Sequence, residues 1–440
     1  MTTPPGPKSP ALLQTRRFIS EPVETLEKAR RRYGETFAIR IARAGELVFL
    51  SDPPSIKALF SADRDNIVAP GRNVILAPLL GESSLLLVNG PEHLALRKLM
   101  LPPFHGERMR AYERVIESAT ERELGGWHAG APFPLHPCMQ SITLEVIMRA
   151  VFGVRDVERD PLRTQLTEIL AATRSPFLVG FGTRIPALRH LPRIRRIEER
   201  IVATNSLLAS EIAARRADPD LAERDDILSM LLAARDEQGD GLDDREIRDQ
   251  LVTLLLAGHE TTATSLAWTF DLLFRRPDVM ERLGDETAGD EHLYLDAVIE
   301  ESLRLRPVVL FTGRQLRKSM QLGGYDLPVS TVVGPAIYLV HTRGDLYDQP
   351  YAFRPERFLD AETETYSWLP FGGGTRRCIG AAFAQFEMRV VLRTILREVE
   401  LRPASSEPER IVRRNVTLAP RDGTRAVLTR RLRTGLSEAA

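Results

Sequence analysis

The sequence predicts a mainly α protein with a small β-rich portion, and three observations carry that expectation. ERMRAYERVIESATERELGGW sets Met109, Tyr112, Val115 and Ile116 three or four residues apart with charges between, the period of an amphipathic helix, and closes on Gly125-Gly126. Short β-branched and aromatic runs gather in only two places, near the amino terminus and after Pro307. Hydrophobic residues make up 43% and charged ones 27% of 440 residues, a globular balance with enough apolar material for a sizeable core. One body spanning 1–440 is expected, fronted by a proline-rich arm over 1–20. No fixed-period repeat suggests a solenoid.

In chain order, MTTPPGPKSPALLQTRRFISEP holds four prolines between Pro4 and Pro10 and no apolar run suited to a signal peptide or anchor, so a soluble, cytoplasmic chain is expected. FAIRIARAGELVFLSD reads as a hairpin between Phe37 and Leu50 that turns at Ala44-Gly45. Leu251 to Phe270 is the most apolar window, but His259, Glu260, Thr261 and Thr262 at its centre oppose a membrane span. Extended pieces follow from Leu310 to Leu339, punctuated by Gly323-Gly324 and Pro328. SLLASEIAARRA and AQFEMRVVLRTILREVEL keep the helical period, so helix should exceed strand by roughly three to one.

Sixty basic residues balance sixty acidic ones, so no net field favours nucleic acid or an anionic membrane. Two cysteines, Cys138 and Cys378, exclude a disulfide framework and a four-cysteine zinc site. Cys138, in HPCMQ, reads as inert filler. His105, His128, His136, His190 and His292 read as surface or satisfied histidines, and the basic stretch from Arg184 to Arg200 as a solvated face. No G-x-S-x-G elbow is present, which removes a serine hydrolase.

Around Cys378 the chain reads Trp-Leu-Pro-Phe-Gly-Gly-Gly-Thr-Arg-Arg-Cys-Ile-Gly, and a helical stretch follows. Three glycines turn tightly and expose amides, while a helix start and Arg376 and Arg377 add positive charge, all of which favour a thiolate. Taken alone, the loop suits a buried cysteine better than a metal ligand. A phosphate cradle is excluded, because no Lys-Ser/Thr pair follows.

The whole string resembles the haem-binding signature of the cytochrome P-450 family, F-x-x-G-x-R-x-C-x-G, at Phe371, Gly374, Arg376, Cys378 and Gly380. The resemblance implies a triangular-prism fold, haem b (iron protoporphyrin IX) as cofactor, Cys378 as its axial metal ligand, Phe371 packed beside it and Arg376 on a propionate. Ala257-Gly-His-Glu-Thr261 resembles the motif of the family's long central helix, which implies that Glu260 and Thr261 relay protons and that Gly258 leaves room for dioxygen where that helix is locally widened. Glu301, Arg304 and Arg357, in LDAVIEESLRLRP and FRPERF, match the family's structural charge triad. His93, Arg97 and Arg314 match its propionate partners. One departure stands out: His341-Thr-Arg-Gly-Asp replaces the commoner H-R-D-P.

The activity implied is monooxygenation of a hydrophobic small molecule, a terpene, fatty acid or steroid. Family position assigns the substrate pocket to Ile75, Leu76, Leu79, Leu80, Ala257, Val308, Val309, Leu310, Phe311, Val416 and Thr417, nearly all apolar. Two cysteines cannot hold a ferredoxin cluster, so electrons are expected from a separate ferredoxin or flavodoxin with its NAD(P)H-dependent reductase, docking by the arginines near Cys378. A monomer without a membrane anchor or nucleic-acid partner is expected. The alternative is a haem-thiolate gas sensor or carrier, which would not need the Glu260-Thr261 pair.

Overall fold

A computed structural model describes the chain except residues 1–2, 43, 63–66, 69–76, 105, 107, 155–160, 173–189, 288, 290, 360–363, 415–416 and 433–440. Helices α1 (Ala11–Ser20) and α2 (Pro22–Tyr33) precede a hairpin of β1 (Thr36–Ile41) and β2 (Gly45–Leu50), then α3 (Pro53–Ser61), β3 (Ile67–Val68) and α4 (Ala77–Leu80). The helical body comprises α5 (Gly90–Met100), α6 (Arg108–Gly125), α7 (Leu135–Ala150), which follows β4 (Pro132–Pro134), then α8 (Pro161–Ala172), α9 (Pro192–Arg216), α10 (Ile227–Ala233), α11 (Asp244–Leu273), α12 (Pro277–Thr287) and α13 (Leu293–Leu305). Short strands β5 (Arg314–Leu316), β6 (Met320–Leu322), β7 (Tyr325–Leu327) and β8 (Val332–Pro335) lead to α14 (Ile337–His341). The chain then runs through α15 (Ala381–Glu398), β9 (Val399–Pro403), β10 (Ile411–Arg414), β11 (Thr417–Pro420) and β12 (Arg425–Arg431).

Both expected β regions join one sheet, ordered β1-β2-β8-β5-β3, in which β2 lies parallel to β8 from the Leu47–Val332 pair onward. Their union is long-range and invisible to local pattern. Residues 11–20 are helical and docked, not a loose arm: Phe18 is buried, and the buried Gln14 amide donates to Pro7 and Ser9 carbonyls while accepting from the Arg40 N–H.

The central element is α11, 30 residues of unbroken α-helix. Its start is fixed by a capping box, in which the Glu246 N–H donates to Asp243 at 2.7 Å and the Asp243 N–H to Glu246 at 2.8 Å. Leu251, Val252, Leu255, Ala263, Leu266, Phe270 and Leu273 are buried around it in the largest core cluster, alongside α7 and α15 residues. A helix with buried residues on every side belongs at the centre of a molecule. The chain rises about 45 Å along it, enough to span the body.

No described helix is long and apolar enough to cross a membrane.

Candidate active site

At the middle of α11, between buried stretches, Ala257 is exposed, and Leu254 and Thr261 are among the half-buried residues around it. These three positions share one face at helical spacing, so the helix offers an accessible stripe at mid-length. The Thr261 hydroxyl donates to the Ala257 carbonyl at 2.6 Å. Gly258, beside that stripe, is also half-buried, and the helix is not widened there. A Cβ at Gly258 would meet Ile147 of α7 at 3.5 Å, an ordinary contact. Glu260 also turns toward α7, where Gln140 Nε2 donates to its carboxylate at 2.5 Å and His136 Nε2 lies 3.6 Å away.

The loop before α15 presents Cys378. Gly372 and Gly374 both take φ +67°, a region costly to side chains, and a Cβ on Gly373 would collide with the Phe60 ring. The Cys378 N–H donates to the Phe371 carbonyl at 2.9 Å, closing the turn, and Phe371 sits edge-on to Trp368. Although ringed by protein atoms, the Cys378 side chain keeps accessible surface, so its sulfur faces a recess. Burial raises its pKa, outweighing the Gly380 amide and the Arg97 and Arg377 charges that pull it down. The Gly380 amide and the two arginines thus act in the direction that the loop sequence suggests, against the cost of desolvation.

Basic side chains surround this recess. His93 and Arg97 lie four apart on α5, Arg314 opens β5, and Arg376 sits in the cysteine loop. Burial, together with the charges of Arg376, Arg97 and Arg314, pushes His93 down to about 4. Burial likewise lowers Arg314 to about 10. Arg376 falls to about 10 through burial and the charges of Arg314 and Arg97. Among the described residues no carboxylate compensates these guanidiniums. Arg314 donates to the Gly313 and Gly373 carbonyls, and Arg376 to those of Leu85 and Val88 and to the Asn89 side chain. Arg376 thus points inward and is not a surface docking group; Arg377 is exposed. A surplus of buried positive charge beside a recessed sulfur fits a cofactor carrying two carboxylates and a metal.

Behind this site, Glu301 and Arg304 are fully buried and bidentate at 2.6 and 2.8 Å, with Arg357 Nε 3.2 Å from the same carboxylate. The Arg354 N–H adds a donor at 2.8 Å, and Arg304 also reaches the His341 and Pro350 carbonyls. Where His341-Thr-Arg-Gly-Asp departs from the familiar string, His341 Nε2 accepts from the Leu369 N–H at 2.7 Å and Arg343 pairs with Asp345 and Glu35, each at 2.6 Å.

Of the apolar pocket candidates, Ile75, Leu76 and Val416 lie outside the described residues, as do His105 and residues 184–189. Leu79 and Leu80 are buried in the main core, Leu310 in the cluster under the large sheet, and Val308 and Thr417 are buried as well. Phe311 packs on Phe49 with ring centres 4.7 Å apart. Val309 is half-buried, and Ala257 alone of the described members is exposed. Sequence reasoning missed Glu387, a fully enclosed acid on α15 beside Thr262, pushed up to about 8 by burial. It also set aside His136 and Gln140, which meet Glu260 only through the packing of α7 on α11.

A long central helix with a small residue and a threonine on its accessible stripe, and a cysteine loop beside unmatched guanidiniums, suit a haem-thiolate protein. The sequence profile of the cytochrome P450 family matches residues 3–425, and the chain belongs to that family. It is 42% identical over 441 residues to a Mycobacterium tuberculosis protein provisionally named cytochrome P450 135B1, covering 97% of this chain and 91% of that one. A second protein of that organism, provisionally cytochrome P450 137, is 40% identical over 398 residues, covering 90% and 83%. The retinoic acid-bound cyanobacterial CYP120A1 superposes with a TM-score of 0.85 at 26% identity, covering 98% of this chain and 99% of that one. Members of the family bind haem b and act as haem-thiolate monooxygenases.

Proposed function

We propose that the protein hydroxylates a hydrophobic small molecule, a terpene, fatty acid or steroid, with electrons from a separate ferredoxin or flavodoxin and its reductase. The observation that carries the reading is the unmatched cluster of His93, Arg97, Arg314 and Arg376 beside Cys378. Cys378 would ligate the iron, and the cations would hold the two propionates. When bound, haem supplies dioxygen activation, which a thiolate ligand promotes. The retinoic acid held by CYP120A1 supports an apolar, isoprenoid-like substrate class.

The protein's own contribution lies on α11. Thr261 is on the accessible stripe and can donate its hydroxyl proton once the Ala257 carbonyl releases it. Glu260, held by Gln140, is the adjacent acid from which that hydroxyl can be resupplied. Ala257 keeps the stripe small, leaving space for an apolar guest.

The test is a screen of terpenes, fatty acids and steroids for the haem spectral change on displacement of iron-bound water, then product analysis with purified redox partners. Substrate-dependent NADPH consumption yielding a hydroxylated product is expected; binding without turnover would favour a carrier or sensor. Thr261→Ala should cut product formed per NADPH by about tenfold or more while peroxide rises. Unimpaired coupling in that variant would remove the relay.

A further inference from the structure

We propose that His136 is a positioning residue for Glu260, holding its carboxylate on the α7 side of α11 through an imidazole whose tautomer is set by Arg414. This deepens the proton-relay reading and rests on it.

His136 is the second residue of α7 and is fully buried. Its backbone is pinned: the His136 N–H donates to the Gly423 carbonyl at 3.0 Å and the Leu135 N–H to that of Thr424 at 3.1 Å. On one side of the ring, Nδ1 lies 3.1 Å from Arg414 Nη1. A guanidinium has donors only, so Nδ1 must accept and the ring proton must sit on Nε2. On the other side, Nε2 faces α11, 3.1 Å from Thr264 Oγ1 and 3.6 Å from Glu260 Oε1.

The pairing is regular. Glu260 and Thr264 are four apart on α11, and His136 and Gln140 are four apart on α7, so each helix presents two groups on one face. Gln140 donates to Oε2 at 2.5 Å while His136 faces Oε1, giving each carboxylate oxygen its own neighbour from α7. At 3.6 Å the imidazole contact exceeds a hydrogen bond, so His136 acts on Glu260 as an oriented N–H dipole beside the hydroxyl of Thr264. A ring with the proton on Nδ1 would turn a lone pair toward the carboxylate and drive it off. Arg414, exposed at the end of β10, thereby helps place an acid deep in the molecule.

The test is nuclear magnetic resonance on the reduced, carbon monoxide-bound holoprotein, labelled with 15N at histidine and 13C at glutamate carboxyls. His136 should show an unprotonated Nδ1 and a protonated Nε2 near neutral pH, and Arg414→Met should allow the tautomers to mix. The Glu260 carboxyl resonance, assigned by its loss in Glu260→Gln, should shift in His136→Leu and return toward its original place in His136→Gln, which restores a side-chain donor. An Nδ1-protonated ring in the unaltered protein, or a Glu260 resonance indifferent to His136→Leu, would overturn the proposal. If His136→Leu does not fold, the Arg414→Met arm decides alone: mixed tautomers support the role and an unchanged ring refutes it. Failure here, with Glu260→Gln still uncoupling NADPH from product, sinks the positioning role only; normal coupling in Glu260→Gln sinks the relay and this role together.

Discussion

Two buried charge clusters in this molecule are built in opposite ways. Around Glu301, each charge has its counterpart: a carboxylate takes a bidentate arginine, a second arginine and a backbone N–H. Around Cys378, three arginines crowd one another and a His93 imidazole that burial and their charge keep neutral, with no compensating acid among the described residues. A balanced set needs nothing more and serves as scaffold. An unbalanced set is costly alone, because desolvated like charges repel, and it is tolerable where an anionic partner completes it.

The contrast predicts opposite responses to losing an arginine. Arg304→Leu strands Glu301 in the interior with one arginine left, and should cost about 3–5 kcal/mol, read as a lowered urea midpoint. Little or no change would mean that water reaches the triad. A smaller effect is expected at Glu387, held protonated to about 8 against an ordinary 4.5. Between those values the folded chain keeps a proton that the unfolded chain has released, so stability should fall as pH rises through that window, by up to a few kcal/mol. Glu387→Gln should flatten the slope in urea titrations at stepped pH; an equally steep slope would assign it to other groups.

Smallest in stability terms is Arg97→Gln. Removing one of several repelling cations should leave the haem-free chain no less stable, yet speed haem transfer to an acceptor globin by about tenfold. If haem retention is unchanged, the cluster does not meet the propionates. If the haem-free chain unfolds more easily instead, Arg97 belongs to the scaffold class after all.

How much of this the sequence discloses depends on whether a feature is local. Cys378 lies in a glycine loop whose backbone needs are written in consecutive residues, and the length of α11 follows from its capping box and apolar period. Glu301 and Arg304 share one turn. The direction of Glu260 does not follow from its own helix, because Gln140 and His136 reach it only when α7 packs across α11. The amide and charges that favour a Cys378 thiolate are legible in and near its loop, while the burial that opposes them is a property of the whole fold. Leu79, Leu80 and Leu310 were apolar enough for a pocket or a core, and composition alone cannot separate the two.

The claim on which the rest depends is that Cys378 sulfur binds haem iron. Reduce the purified, freshly prepared protein and add carbon monoxide: the account predicts a Soret band displaced to the red, as thiolate ligation produces, and its loss in Cys378→Ala. An intact, haem-loaded protein whose band stays at the ordinary position, or a Cys378→Ala variant that keeps the displaced one, would contradict it.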